Sequence, residues 1–139
     1  MEELIVPGTL EMLVKLRDYV ADAARKAELG RISTHRLKLA VDEIATNAIM
    51  YGYDADNRKG DIGIKAELND EALTIILEDT GPAFDPTVSA PDVDLDTAIE
   101  DRPSGGLGIF LTLSQVSTFR YERDGDKNRN IFVMKKSEA

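Results

Sequence analysis

A stretch rich in proline and carboxylates, from Gly81 to Gly106, most constrains how this chain can fold. Four of the chain's five prolines fall within it, together with six acidic residues. Proline lacks a backbone donor and unpaired carboxylates are rarely buried, so this stretch cannot form a core element. Loops of this length in a small domain serve as lids over binding sites or are tolerated insertions, and composition leaves both readings open. We place the predicted lid at about residues 82–104.

Two amphipathic helices are predicted before the lid. Apolar residues recur at helical spacing over residues 10–27, behind Thr9 as an N-cap. A second stripe starts behind Ser33 or Thr34 as caps and ends at Gly52. The members of this second stripe are Leu37, Val41, Ile44, Ala48 and Tyr51.

Two hairpins flank the lid. Residues 62–68 and 73–79 have strand-like patterns and are close in sequence, which favours antiparallel pairing. Residues 118–123 and 130–135 form a second pair, joined by the turn at Asp124-Gly125. The segment after the lid, Leu107 to Val116, suits a packed helix.

Composition narrows the function classes. A length of 139 residues predicts a single domain over residues 1–139. The net charge of -9 argues against direct binding of nucleic acid, whose phosphates need clustered basic residues. With no cysteine there is no disulfide, thiolate metal site or cysteine nucleophile. No signal peptide or membrane segment is visible, so a cytoplasmic location is expected.

Glu43 and Asn47 are four residues apart on the second helix, so both side chains project from one face. A carboxylate beside an amide oxygen suits Mg2+, which completes its coordination with phosphate and water. The carboxylate could equally accept a proton from an attacking hydroxyl. From this pair alone, a solvated polar face is the more common explanation.

Asp79 has the same strand parity as Leu73, Ile75 and Leu77. If that side faces the core, the carboxylate is buried and needs a donor, which the amino group of adenine would supply. If the strand ends early, Asp79 is solvated and caps the following turn. The residue alone favours neither.

Glycines open the helix predicted after the lid. Gly105, Gly106 and Gly108 would let backbone amides approach an anion at the positive end of the helix dipole. A tight turn or close helix contact would also need glycine, so the cluster is weak evidence by itself. The spacing matches neither the Walker nor the dinucleotide-binding pattern.

Taken in order, these motifs resemble the N, G1 and G2 boxes of the Bergerat-fold, or GHKL, ATPases. More closely, residues 39–48, 79–86 and 105–111 look like the anti-sigma-factor serine/threonine kinases of bacterial stress and sporulation switches. The likeness covers nearly the whole chain. The three motifs are Glu43-x-x-x-Asn47, Asp79-x-Gly81 and Gly105-Gly106-Leu107-Gly108.

The resemblance implies an α+β fold, a two-layer α/β sandwich with helices on one face of a mixed, mostly antiparallel sheet. It implies ATP and Mg2+ as cofactors and a homodimer. The implied partners are an anti-sigma-factor antagonist (STAS-domain) protein, phosphorylated on serine, and a sigma factor, with Arg17 on the first helix contacting a partner. The implied site residues are Glu43 as general base, Asn47 as Mg2+ ligand, Asp79 and Gly81 at adenine, and Gly105, Gly106, Leu107 and Gly108 at the phosphates.

Other functions remain open at this point. A sensor histidine kinase would need a phosphoacceptor histidine on a dimerisation helix, whereas His35 lies near the start of the second helix. The main alternative is a non-catalytic ATP-gated protein-binding module in a partner-switching pathway, with Glu43 only orienting Mg2+. A partner-binding domain with an empty pocket is the third.

Overall fold

The computed structural model describes residues 1–54, 59–89 and 106–136. These residues form five strands and four α-helices in two layers. No helix in these ranges is long and apolar enough to cross a membrane. The strands are β1 (Leu4–Pro7), β2 (Asp61–Leu68), β3 (Ala72–Asp79), β4 (Thr118–Asp124) and β5 (Lys127–Lys135). The helices are α1 (Leu13–Lys26), α2 (Arg31–Asn47), α3 (Pro86–Ser89) and α4 (Gly106–Leu113).

The strands form one sheet in the order β1-β2-β3-β5-β4, and all four pairings are antiparallel. Both predicted hairpins are present, and the α+β fold class is confirmed. The described sheet is antiparallel throughout rather than mixed. In the second hairpin β5 begins at Lys127, three residues before the predicted start at Asn130. This earlier start pairs Asn128 with Asp79.

The core lies between one face of the sheet and the helices. Helices α1 and α2 pack against each other and against the sheet, and α4 packs on α2. Alternate residues of each central strand point into this layer, as the period of two requires. Phe132 of β5 is fully buried and meets the edge of Phe119 with ring centroids 5.1 Å apart. The inward row of β3 comprises Leu73, Ile75, Leu77 and Asp79.

Helix α2 begins earlier than the sequence pattern suggests. Gly30 is its N-cap residue, and the carbonyl of Gly30 accepts from the backbone N–H of Thr34 at 3.0 Å. Ser33 is buried inside the helix, so the prediction of Ser33 or Thr34 as the cap is wrong. Thr9 does precede the first turn, but its side chain makes no capping hydrogen bond.

A π-helical turn, Ala48–Asp54, follows α2 and shifts its buried face. The five-residue spacing of such a turn buries Ile49 and Tyr53 in place of the predicted Ala48 and Tyr51. Tyr51 is instead 45% exposed. Wide turns of this kind occur often at functional sites, and this one directly follows Asn47.

Tyr53 ties the π-helical turn to the end of β3. Its hydroxyl donates to the carbonyl of Asp61 at 2.8 Å and accepts from the backbone N–H of Thr80 at 2.9 Å. Gly8 and Gly60 flank the ring so closely that a Cβ on Gly8 would lie 2.4 Å from it. The contacts fix the backbone immediately after Asp79.

Candidate functional site

A cavity of about 270 Å³ opens between the end of α2, the end of β3 and the start of α4. Its volume is near the lower end of the range for small-molecule sites, and like them it combines apolar walls with a few polar groups. The apolar lining includes Ile44, Ala48, Pro82, Ala83, Phe84, Pro86 and Ile109. The amide and carboxylate side chains that line it are Asn47, Asp79, Asn128 and Asn130.

Asp79 lies on the core face of β3 and is 5% exposed, so the buried alternative is confirmed. Its Oδ1 accepts from the backbone N–H of Gly81 and from Nδ2 of Asn128, both at 2.9 Å. Within the described parts of the chain, no hydrogen bond reaches Oδ2. Because Asp79 lines the cavity, a ligand there can donate a hydrogen bond to Oδ2.

A side chain at Gly81 would be tightly packed against its neighbours. An added Cβ would lie 3.1 Å from Oδ1 of Asp79 and 3.3 Å from the Cα of Gly52. Gly81 donates its backbone N–H to Oδ1 of Asp79 while its Cα region lies close to Gly52. Glycine at this position therefore supports the orientation of Asp79.

Glu43 and Asn47 share one face of α2, as predicted. Nδ2 of Asn47 donates to Oε1 of Glu43 at 3.4 Å, which leaves the Asn47 amide oxygen for another ligand. Partial burial raises the pKa of Glu43; the hydrogen bond from Asn47 opposes this shift and the neighbouring charge of Asp42 adds to it. Asn47 lines the cavity. Glu43 does not line it but contacts it through the hydrogen bond with Asn47.

Helix α4 borders the cavity through Ile109. It begins at Gly106 and ends at Leu113, so the predicted helix is present but stops before Val116. Gly106, Leu107 and Gly108 form its first turn, whose backbone N–H groups have no intrahelical acceptor. Such N–H groups can bind an anion at the positive end of the helix. Gly105 and residues 90–104 of the predicted lid lie outside the described residues.

The polar groups of the cavity fit an adenine base. Asn130 is 3% exposed, and its Oδ1 has no hydrogen-bond partner in the described parts of the chain. An unpaired buried oxygen is unfavourable unless a ligand or water donates to it. Asp79 also lines the cavity and uses Oδ1 for its hydrogen bonds within the described residues, so Oδ2 is a second acceptor for a ligand that carries an amino group.

The described residues offer few metal ligands. No group of three or more histidine, cysteine or acidic side chains in ranges 1–54, 59–89 and 106–136 could hold a metal ion. The amide oxygen of Asn47 is the donor that fits Mg2+ best, and Mg2+ commonly takes one or two protein ligands together with phosphate oxygens. The donor set therefore fits Mg2+ held jointly with a nucleotide.

Arg17 lies on α1 and does not line the cavity. Its Nε donates to Oδ1 of Asp42 on α2 at 2.7 Å, and the Arg17 side chain is 46% exposed. The hydrogen bond and the charge of Asp42 raise the pKa of Arg17 further above its already high value. Any role of Arg17 would therefore concern the outer surface of the helices.

Asn128, Asn130 and Tyr53 were not identified from the sequence. A signal was present for the two asparagines, because they share strand parity with the buried Phe132 and Met134. Two amides in line with a buried apolar row indicate polar groups facing a site. Tyr53 gave no such signal, because its burial depends on the π-helical turn.

Comparisons with known proteins agree with this geometry. Residues 6–136 match the family described as the histidine kinase-like ATPase domain. The serine-protein kinase RsbW of Staphylococcus aureus is 30% identical over 112 residues, which cover 78% of this chain and 70% of that protein.

Two solved structures share the fold at low sequence identity. The RsbU and RsbW domains of a Mycobacterium tuberculosis protein match with a TM-score of 0.63 at 17% identity. That match covers 96% of this chain and 32% of the other, so this chain spans about a third of that structure. The Acinetobacter baumannii histidine kinase AdeS matches with a TM-score of 0.52 at 16% identity, covering 98% and 69%. The chain belongs to the histidine kinase-like ATPase domain family and, within it, to the anti-sigma-factor serine kinases.

Proposed function

We propose that this protein is an ATP-dependent serine/threonine kinase that phosphorylates a serine of an anti-sigma-factor antagonist of the STAS type and so controls the availability of a sigma factor. The observation that carries the proposal is the meeting of α2, β3 and α4 at one cavity. Asn47 and Asp79 line this cavity, Glu43 accepts a hydrogen bond from Asn47, and Ile109 lines the cavity from α4, the helix that begins with the glycine turn.

Each residue has a defined part in the proposed reaction. Asp79 and Gly81 orient adenine, while the backbone N–H groups at Gly105, Gly106, Leu107 and Gly108 bind phosphate oxygens. Asn47 ligates Mg2+ through its amide oxygen. When bound, ATP supplies the phosphoryl group and Mg2+ offsets its charge.

Glu43 takes the proton of the substrate serine. As the serine oxygen bonds to the γ-phosphorus, the bond from that phosphorus to the bridging oxygen of ADP breaks, and the serine proton moves to the Glu43 carboxylate. Partial burial raises the pKa of Glu43 towards neutral pH, and a general base is most effective when its pKa lies near the operating pH.

The first experiment combines binding and transfer. Calorimetry with ATP and Mg2+ is followed, in the same preparation, by radiolabel transfer to antagonist proteins encoded beside the gene. Binding with serine phosphorylation is the expected result. Binding without transfer to any candidate would instead support the non-catalytic ATP-gated binding module, and no binding would overturn both.

Glu43→Ala tests the general base. We expect phosphoryl transfer to fall by about a hundredfold or more, because positioned bases contribute at least this much. The dissociation constant for ATP should change by less than about threefold, since binding rests on Asp79 and the glycine turn. Glu67→Ala, on an exposed residue of β2, is the matched control and should leave both unchanged. Full transfer by Glu43→Ala would remove this assignment.

A further inference from the structure

Asn128 lies at the centre of a buried hydrogen-bond network to which the proposed chemistry gives no role. The residue is 3% exposed and faces Asp79 directly in the pairing of β3 with β5. Its Nδ2 donates to Oδ1 of Asp79 and to the carbonyl of Pro82, both at 2.9 Å, and to the carbonyl of Gly81 at 3.3 Å. One amide nitrogen therefore connects Asp79 to the backbone at the start of the predicted lid.

The opposite side of the same amide meets two N–H donors and one hydroxyl group. Its Oδ1 accepts from the hydroxyl of Tyr121, from Nη1 of Arg123 at 3.1 Å and from the backbone N–H of Phe84 at 3.4 Å. A reversed amide would set its oxygen against three oxygens and its nitrogen against two N–H groups. The chemistry of the neighbours therefore fixes the orientation of Asn128.

This fixed amide determines which oxygen of Asp79 a ligand can reach. A carboxylate with no fixed donor can turn about its last side-chain bond and present either oxygen. Asn128 and Gly81 together hold Oδ1 at 2.9 Å, which leaves Oδ2 for a ligand in the cavity. An ionised carboxylate oxygen only accepts, so it favours a ligand amino group and opposes an oxo group.

We propose that Asn128 is a positioning residue that sets base selectivity by holding the Asp79 carboxylate in one orientation. The inference rests on the proposed nucleotide-binding function and adds a residue that need not touch the ligand. Because Asn128 acts through Asp79, its loss should affect the choice between an amino and an oxo group more than it affects phosphate binding.

The test compares ATP with inosine triphosphate, which carries an oxo group where ATP carries its exocyclic amino group. Calorimetry on the parent protein should show ATP bound about tenfold or more tightly, as expected for one charge-assisted hydrogen bond. In Asn128→Ala this ratio should fall to about twofold or less, mainly through weaker binding of ATP. If Asn128→Ala does not fold, Asn128→Thr suits a strand and should give a reduced ratio.

Tyr121→Phe separates orientation of Asp79 from general loosening of the site. This variant removes one donor to Oδ1 of Asn128 and leaves all three contacts of Nδ2 in place. We expect a lower melting temperature with the parent ratio of ATP to inosine triphosphate affinity retained. Equal loss of selectivity in Tyr121→Phe and Asn128→Ala would overturn the positioning role.

The remaining outcomes separate this inference from the proposed function. A parent that prefers ATP together with an Asn128→Ala variant that keeps the full preference would overturn only the role of Asn128. A parent that binds ATP and inosine triphosphate equally would also overturn it, while nucleotide binding itself would stand. A parent that binds neither would overturn the proposed function and this inference with it.

Discussion

Glu43 carries a carboxylate into a partly buried position where ionisation is unfavourable. Burial raises its pKa above the ordinary value of 4.5. A carboxyl group whose pKa is higher in the folded state than in the unfolded state binds protons more tightly when folded. Its ionised form therefore lowers the free energy of unfolding at pH values above the folded-state pKa. The same shift that suits a general base reduces stability, as is common at active sites.

Glu43→Gln tests whether ionised Glu43 lowers the free energy of unfolding. Glutamine keeps an oxygen for the hydrogen bond from Asn47 but carries no charge. At pH 7.5 without nucleotide, we expect the variant to melt about 1 to 3 °C above the parent. The difference should shrink as the pH falls from the raised folded-state pKa towards 4.5, because the parent carboxyl then binds its proton.

Thermal unfolding followed by circular dichroism between pH 4.5 and 8 would check the expectation. Glu67→Gln, on an exposed position of β2, removes a charge without affecting the cavity and should show no such pH-dependent gain. A parent that melts above Glu43→Gln at pH 7.5 would show that ionised Glu43 does not destabilise the fold.

At the scale of elements, strongly periodic segments could be predicted and context-dependent ones could not. The helices α1 and α2 and the strands β2 and β3 follow from apolar spacing because each buries one face. Strand β1 was missed: its four residues alternate only briefly, and it exists through pairing with β2. The start of β5 was missed because Asn128 faces the cavity as a polar residue and interrupts the apolar pattern before Asn130.

The residues of the candidate site also divide into those that periodicity predicts and those that depend on contacts between elements. The sequence pattern located Glu43, Asn47 and Asp79, because spacing on a helix and parity on a strand determine where these side chains point. It could not locate the partners of Asp79, which come from β5 and meet it only through the pairing of β3 with β5. The helical spacing of apolar residues could not predict the π-helical turn either, because one wider turn changes which residues are buried.

The close packing of Gly8 and Gly60 against the ring of Tyr53 can be tested by mutation. In Gly8→Ala the new Cβ would lie 2.4 Å from two ring carbons of Tyr53, which is 2% exposed and cannot move aside easily. We expect a loss of about 2 kcal/mol in the free energy of unfolding, as for other overpacked sites. In a domain of this size this corresponds to a melting temperature lower by about 8 °C.

The matched control for this variant is Gly52→Ala in the π-helical turn. There the nearest atom to an added Cβ is the Cα of Gly81 at 3.9 Å, an ordinary contact. Alanine also reduces the conformational entropy of the unfolded chain, so the control should be neutral or slightly stabilising. Denaturant unfolding of both variants would measure the contrast, and equal stabilities would refute the packing argument.

At the scale of the whole molecule, the candidate cavity and the outer surface of the helices are separate. Arg17 and Asp42 form an ion pair across α1 and α2, and both side chains are partly exposed. Val14 and Leu39 lie one turn before them on their respective helices and are 57% and 45% exposed. Arginine is one of the residue types enriched among energetically important interface residues.

Arg17→Ala therefore tests whether this surface binds the proposed antagonist partner. We expect affinity for the antagonist to fall by about tenfold or more, the size of effect seen when an interface arginine is truncated. Affinity for ATP should stay unchanged, because Arg17 does not line the cavity. Paired calorimetric titrations with ATP and with the antagonist would measure both.

Arg25→Ala provides the control on the same helix. Arg25 also pairs with an aspartate, Asp22, but its side chain is 73% exposed and the pair lies within one turn of α1. Both variants remove one positive charge from a chain of net charge -9, so a general electrostatic effect would weaken antagonist binding equally in the two. Loss confined to Arg17→Ala would assign the contact to the α1–α2 surface, whereas equal loss or no loss would remove Arg17 from the proposed interface.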